Sequence, residues 1–238
     1  LSKTDSKIVL LKNDIRSEFL ENSISRELVE ESMILMGTVI AEYSKRNSIA
    51  IPYRCQDKPS TFTLPQVQIE ELRNYAVVNS LKRSYISTTP APHFSLGISS
   101  YVQCTSPIRR YIDLLTHHQL ISFLDGKRLL ANFELTTIID TYLSNIREAN
   151  EIMKEDKRYW QKILLIRSNS IINAYFIKWI NLKIGLALLY FYDYGFEYII
   201  KLITNNSIEQ AQLLKLKVSP EYYELEDYNN SLNMYIIN

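Results

Sequence analysis

The sequence is poor in the residues that make most metal and nucleophile sites easy to recognise. It holds two cysteines, Cys55 and Cys104, in 238 residues. They provide neither a disulfide framework nor a zinc-ligand spacing, and a reducing compartment is the simpler setting. The three histidines are His93, His117 and His118. Adjacent histidines on a helix point in different directions, and no cysteine or acid completes a metal set around them. Cys104 has no evident base partner in the pattern, which argues against a nucleophilic role. Five glycines are too few for a Gly/Ser-rich linker, and no internal repeat is visible. No run of about 20 uncharged apolar residues exists, because Lys178, Asn181, Lys183 and Asp193 interrupt the apolar stretch 171–203. Residues Leu1 to Leu11 carry mixed charge and lack a cleavage-like region, so neither a signal nor a transit peptide is expected in them. The formal net charge of +1 argues against a non-specific RNA coat, although localised basic residues can still grip nucleic acid.

What is present is an ordinary globular balance, with 46% hydrophobic and 22% charged residues. A chain of this length builds one large domain or one and a half smaller ones. Lys7–Leu11 reads as a short strand ended by Lys12-Asn13-Asp14. Residues 25–46 read as a helix whose apolar face holds Leu28, Ile34 or Leu35, Val39 and Tyr43. Residues 53–65 read as loop, and 66–81 as a helix with Val67, Leu72, Ala76 and Val77 in the core. Residues 84–105 read as irregular or extended. The next helix is expected to start at Pro107 and stop at Asp125-Gly126. One long helix or two abutting ones follow over Phe133–Ile166. Ile138, Tyr142, Ile146, Ala149, Met153, Trp160 and Leu164 keep its period, and Arg147 to Arg158 form a solvated charged face. Beyond Ser168 the character changes to short aromatic strands near 172–180, 184–192, 196–203, 212–218 and 231–237, a pattern that suits a small barrel.

The run from Thr105 to Leu115 carries the chemistry. Ser106 reads as an N-cap and Pro107 as the first helical residue. Free backbone N–H groups and the positive end of the helix would then lie beside Arg109 and Arg110. Arginine offers a planar fork of donors that matches phosphate oxygens. The bland alternative is an ordinary ion pair of Arg109 or Arg110 with Asp113.

Tyr101-Val102-Gln103-Cys104-Thr105-Ser106-Pro107-Ile108-Arg109-Arg110-Tyr111-Ile112-Asp113-Leu114, with His117 and Gln119-Leu120 after it, resembles the signature of the ribonuclease II/R (RNB) family. Ser25-Arg26-Glu27-Leu28-Val29-Glu30-Glu31-Ser32-Met33-Ile34-Leu35 is similar to a helix of the same catalytic domain. Ile51 to Gln56 and Pro92 to Gly97 fall in the family's order between these two segments, and Arg158-Tyr159-Trp160 resembles the domain's end. The resemblance implies an α+β fold. Residues 1–168 would be the mainly helical C-terminal part of an RNB catalytic domain, and 169–238 a β-rich, OB-like RNA-binding barrel or its degenerate or truncated remnant. It implies 3′-to-5′ hydrolysis of single-stranded RNA to nucleoside 5′-monophosphates with Mg²⁺.

By the same resemblance, Arg109 contacts the scissile phosphate as the catalytic arginine. Arg110 binds phosphate or forms a structural ion pair. Thr105 and Ser106 cap and contact phosphate. Glu31 accepts from ribose hydroxyls or is a solvated helix acid, with Glu30 as the other choice. Tyr101 and Tyr111 stack on bases or, more commonly for such residues, pack in the core.

The family's metal-binding aspartates precede the helix matching Ser25–Tyr43, whereas Asp5, Asp14, Glu18 and Glu21 are scattered. No metal ligand is therefore assigned in this chain. The expectation is a chain inactive alone, whose Mg²⁺ ligands come from an upstream polypeptide carrying the aspartates. The alternative is a non-catalytic RNA-binding or assembly module, or a degenerate remnant. Abundant tyrosine (17) with plentiful Ile, Asn and Lys suggests an AT-rich genome. With Gly37 and Arg158-Tyr159-Trp160 resembling the cyanobacterial branch, this points to a plastid, or otherwise a bacterial-type cytoplasm.

Overall fold

The computed structural model describes residues 6–12, 14–19, 23–60, 69–168, 170–204, 207–219 and 232–237. In chain order the elements are β1 (Ser6–Leu11), β2 (Asp14–Phe19), α1 (Ile24–Arg46), β3 (Tyr53–Cys55), α2 (Glu70–Ser80), β4 (Tyr85–Ser87), α3 (Tyr111–Leu124), α4 (Asn132–Arg167), β5 (Ile172–Asn181), β6 (Leu186–Phe191), β7 (Phe196–Ile203), β8 (Leu213–Val218) and β9 (Asn233–Ile236). They form two compact units. One holds 22–65 and 76–149, and the other holds 1–21, 66–75 and 150–238. The fold is α+β, as expected.

In the first unit, α1 starts where Ser23 accepts a hydrogen bond from the Arg26 N–H, and Glu27 in the first turn and Lys45 and Arg46 in the last suit the helix dipole. Its buried face is Gly37, Ile40, Ala41 and Ser44. This corrects the expected core face, since Leu28, Leu35, Val39 and Tyr43 are exposed. The reason is close approach. A Cβ on Gly37 would lie 2.3 Å from Tyr101 Cε2 and 2.4 Å from the Val102 carbonyl oxygen. A helix that comes so near another backbone does so on its smallest residues, whatever its larger apolar residues do.

That contact sets the core. Ile40, Ala41, Ile49, Ile51, Tyr53, Cys55, Val102 and Cys104 form one buried cluster. Ile112 and Leu115 of α3 pack with Leu135 and Ile139 of α4 in another. Gln119 is wholly buried on α3. Its amide donates to the carbonyls of Ala50 (2.8 Å) and Leu130 (3.0 Å), and its oxygen accepts from the Leu130 N–H (3.0 Å). A fully paired buried amide fixes the loops on either side of α3.

The stretch expected as loop from Tyr53 instead begins with β3, which pairs antiparallel with β4 through Tyr53↔Ser87 and Cys55↔Tyr85. Three residues are too few for a period-two signal. The rest of that expected loop past Ser60, and Val67, lie outside the described residues. On α2, Leu72 and Val77 are buried and Ala76 is half-buried. On α4, Met153 is exposed despite its place in the apolar period.

In the second unit the strands close into a barrel of order β5-β6-β7-β9-β8, with β7 and β9 parallel and β8 pairing back to β5. Five strands closed in this way match the OB type. Residues alternate in and out along β7 and β8, and Ala174, Phe176, Leu189, Phe191, Ile200, Leu202, Leu214, Leu216 and Met234 fill the interior. Gly185, at φ +72°, turns the chain into β6. The β1–β2 hairpin belongs to this unit. The Ser6 and Ser17 hydroxyls donate to the carbonyls of Gly195 (3.0 Å) and Tyr194 (2.6 Å), and Ile15 is buried with the barrel residues. β2 was not foreseen from the sequence. Among the described residues, no helix is long and apolar enough to cross a membrane.

Candidate nucleic-acid interface

The segment Tyr101–Arg110 enters the first unit's core at Val102 and Cys104 and then turns out. The expected helix start is corrected. α3 begins at Tyr111 with Arg110 as its N-cap residue, in extended geometry and with no side-chain cap bond. Ser106 and Pro107 belong to a separate turn before it, in which the Ser106 carbonyl accepts from the N–H groups of Arg109 (3.2 Å) and Arg110 (3.0 Å).

The cause is Asp113. Its Oδ2 accepts from the Ser106 N–H (2.8 Å), Arg110 Nε (3.0 Å) and Arg110 Nη2 (2.7 Å). The carboxylate is wholly buried, and its Oδ1 has no hydrogen-bond partner. It therefore pulls the chain seven residues before it back onto the helix, and one turn closes there in place of the helix start. Arg110 also reaches Thr105 Oγ1 (3.4 Å). Thr105, Ser106, Arg110 and Asp113 are thus brought together.

Arg109 is left outside that network. Its side chain is exposed and, among the described residues, makes no hydrogen bond or ion pair. The ion pair with Asp113 belongs to Arg110, not Arg109. Ile108 beside it is fully exposed. The turn therefore presents an apolar side chain and a free guanidinium to solvent.

Tyr101 lies against Gly37 and meets the His93 ring edge-on, with centroids 5.9 Å apart. Burial pushes its hydroxyl above the ordinary tyrosine range. Tyr111 is partly exposed, with its ring 5.7 Å from that of Tyr142. Glu31 is exposed on α1 and has no ion pair among the described residues, whereas Glu30 pairs with Arg26 at 3.6 Å. Neither acid joins the Thr105–Asp113 network. Burial, and then the Asp113 charge, push the Cys104 thiol up to about 11, and His117 Nε2 meets the Cys104 carbonyl (2.7 Å) instead of the sulfur. Cys104 is a packed thiol.

Sequence reasoning missed Arg54. It sits in β3 between buried Tyr53 and Cys55, so strand alternation turns it to the opposite face. Its N–H donates to the Tyr101 carbonyl (2.8 Å), and among the described residues its half-buried guanidinium has neither a hydrogen bond nor an ion pair. Burial, and next the like charge of Arg110, weaken its hold on its proton. Burial and the Arg54 charge likewise lower His93. A lone arginine between apolar neighbours in an alternating stretch is the signal that was available.

Among the described residues, no three of His, Cys, Asp and Glu converge to hold a metal ion. The described residues therefore do not fit the Mg²⁺ that the resemblance implies.

Comparison with known proteins matches the chain to a family, to relatives and to solved structures. The RNB domain family model matches residues 2–126. An uncharacterized ribonuclease of Synechocystis is 33% identical over 204 residues, covering 84% of this chain and 30% of the relative. The chloroplastic/mitochondrial ribonuclease II of Arabidopsis thaliana is 36% identical over 113 residues, covering 45% of this chain and 14% of the relative. Among solved structures, an active-site mutant of the Dss1 exoribonuclease of Candida glabrata superposes with a TM-score of 0.80 at 20% identity, over 99% of this chain and 32% of that one. Mycoplasma genitalium RNase R bound to ribose-methylated single-stranded RNA gives 0.75 at 20% identity, over 99% and 46%. The chain thus spans under half the length of each of these relatives and structures.

Proposed function

The chain belongs to the RNB family, and on that premise we propose that it is the phosphate-gripping part of a hydrolytic exoribonuclease. The enzyme degrades single-stranded RNA from the 3′ end and releases nucleoside 5′-monophosphates. The observation that carries the reading is the free Arg109 guanidinium. It is held out on a turn in which Asp113 engages the Ser106 N–H and the Arg110 guanidinium, and the Ser106 carbonyl accepts from the Arg109 and Arg110 N–H groups. A guanidinium without an internal partner can donate to a phosphate and stabilise the charge that develops on it during displacement. Arg110 acts by fixing that turn. Thr105 and Ser106 line it, and Glu31 and Tyr101 contact the sugar and base of the bound end.

Mg²⁺ is the metal of the reaction in this reading, held by carboxylates of an upstream polypeptide. The exposed apolar side chains Leu28, Leu35, Met36 and Val39 on α1 support such a partner, because a helix in an assembled domain buries its apolar stripe. Residues 1–168 are the catalytic part and 169–238 the RNA-binding barrel. The cyanobacterial and chloroplastic/mitochondrial relatives support a plastid location.

The test is single-stranded RNA binding as a function of salt, followed by turnover with Mg²⁺. Wild type is expected to bind with a negative log–log salt slope, and Arg109→Ala to lower its magnitude by about 0.7, the value of one phosphate contact. Binding that is unchanged in Arg109→Ala overturns the phosphate role. Release of mononucleotides only after an aspartate-bearing RNB segment is added supports the enzyme. Binding without turnover in every mixture selects the rival, a non-catalytic RNA-binding module.

A further inference from the structure

We propose that Arg54 is a second phosphate ligand of this interface, gripping a backbone phosphate of the RNA strand next to the one held by Arg109. The inference rests on the RNA reading above and adds to it a residue from a different element.

Three observations carry it. First, β3 is tied to the motif segment by the Arg54 N–H bond to the Tyr101 carbonyl (2.8 Å). Arg54 is thereby fixed alongside the chain that leads to Thr105 and the arginine turn. Tyr53 and Cys55 anchor it from the core side, so the side chain is aimed by its strand and not by a mobile loop.

Second, the guanidinium is half-buried and satisfied by nothing. Among the described residues it makes no hydrogen bond and no ion pair. Arginine carries five N–H donors and stays charged, so removing it from water without an acceptor is unfavourable. Such a group is normally paired.

Third, the local charge does not balance. Arg54 and Arg110 are close enough for their like charges to interact. The Asp113 carboxylate is engaged by Arg110 and by the Ser106 N–H, so it offsets one guanidinium. The remaining groups that face Arg54 are His93, whose proton affinity burial and Arg54 lower, and the phenols of Tyr101 and Tyr142. No carboxylate is among them. The missing counter-charge is an anion with oxygens that a planar fork can grip, and a phosphodiester provides it.

The experiment combines RNA titration with the arginine side-chain Nε–Hε signal of the full chain. The Arg54 resonance is assigned by its loss in Arg54→Lys. With a single-stranded oligoribonucleotide, Arg54→Gln is expected to lower the salt slope of binding by about 0.7. Arg54→Lys keeps the slope and loses about tenfold in affinity, the equivalent of one charged hydrogen bond. The wild-type Arg54 signal shifts as RNA is added. If RNA binds but the slope in Arg54→Gln and the signal in wild type do not change, the guanidinium only packs over its neighbours and the proposal is overturned. If RNA fails to bind while inorganic phosphate shifts the Arg54 signal, the anion site stands and the RNA reading falls. If RNA fails to bind and phosphate leaves the signal unmoved, both fall. The wild-type signal and the Arg54→Lys slope decide the matter even where Arg54→Gln misfolds.

Discussion

Asp113→Asn removes one negative charge and almost no volume. In the native protein that charge accepts three hydrogen bonds within 3.0 Å, two from Arg110 and one from the Ser106 N–H. The carboxylate is wholly buried, while the Arg110 side chain is 30% exposed. Breaking a buried pair from one side costs about 3–5 kcal/mol, because the surviving charge is left without a counter-ion. Partial access of Arg110 to water places the expected loss at the low end, about 3 kcal/mol. Amide hydrogen exchange along α3 reads this directly, with protection of its slowest amides falling about a hundredfold. The double variant Arg110→Met with Asp113→Leu separates causes, since it removes both charges and leaves no buried ion. It is expected to be more stable than Asp113→Asn alone. Unchanged protection in Asp113→Asn would refute the account of the turn. Equal losses in the single and double variants would show that the Ser106 N–H, and not Arg110, is what the carboxylate satisfies.

Arg109→Ala is expected to leave thermal stability within about 0.5 kcal/mol of wild type, because the side chain touches no partner, and a larger loss would assign it a structural role. Gly37→Ala places a methyl 2.4 Å from the Val102 carbonyl oxygen, so the helix must shift at a cost of about 1–3 kcal/mol, and a neutral urea midpoint would contradict the close approach. Raising the pH from 9 to 11 is expected to destabilise the first unit, since the Cys104 thiol has its pKa raised from 9.0 to about 11 on folding. In that window the native state keeps a proton that the unfolded chain releases, and stability falls as pH rises. Cys104→Ser should flatten part of the decline. Tyr53, Cys55, Tyr85 and Tyr101 are raised in the same direction and add to the decline.

The barrel was legible because the chain after Ser168 is a succession of short stretches rich in Ile, Tyr and Phe, with Gly185 and Gly195 between strands. α1 and α4 were legible as helices from their apolar period, yet the face that α1 buries was not. Periodicity ranks residues by hydrophobicity, and by that measure Leu28, Leu35 and Val39 outrank Gly37 and Ala41. The packing instead follows distance, and only the small residues let α1 reach the backbone at Val102. β2 and β3 escaped notice because one carries three charged residues in six positions and the other is only three residues long, so neither has an apolar period of its own. Their pairing partners define them, Ile15 opposite Leu10 and Arg54 opposite Ile86.

At the candidate site, the expected helix start at Pro107 was misplaced, and the reason lies in one side chain. Ser106-Pro107 has the local chemistry of a helix start, and local chemistry would place both arginines in the first turn. Asp113 changes the outcome from seven residues away. A buried carboxylate needs several donors, and the nearest are the Ser106 N–H and the Arg110 fork. Meeting that need folds Pro107–Arg109 into a turn and delays α3 to Tyr111. The two arginines, adjacent in sequence, consequently divide their labour. Arg110 neutralises the carboxylate and holds the turn, and Arg109 is carried outward with its donors unspent. Arg54 could not be read in the same way, because its meaning depends on a strand bond to Tyr101 and on the charge of Arg110, neither of which is near it in sequence. The cationic surface is thus assembled by one acid. Removing Asp113 should therefore weaken RNA binding through the misplacement of Arg109, even though Asp113 itself repels phosphate. A gain in affinity in Asp113→Asn would show that charge alone, and not the turn, sets the grip.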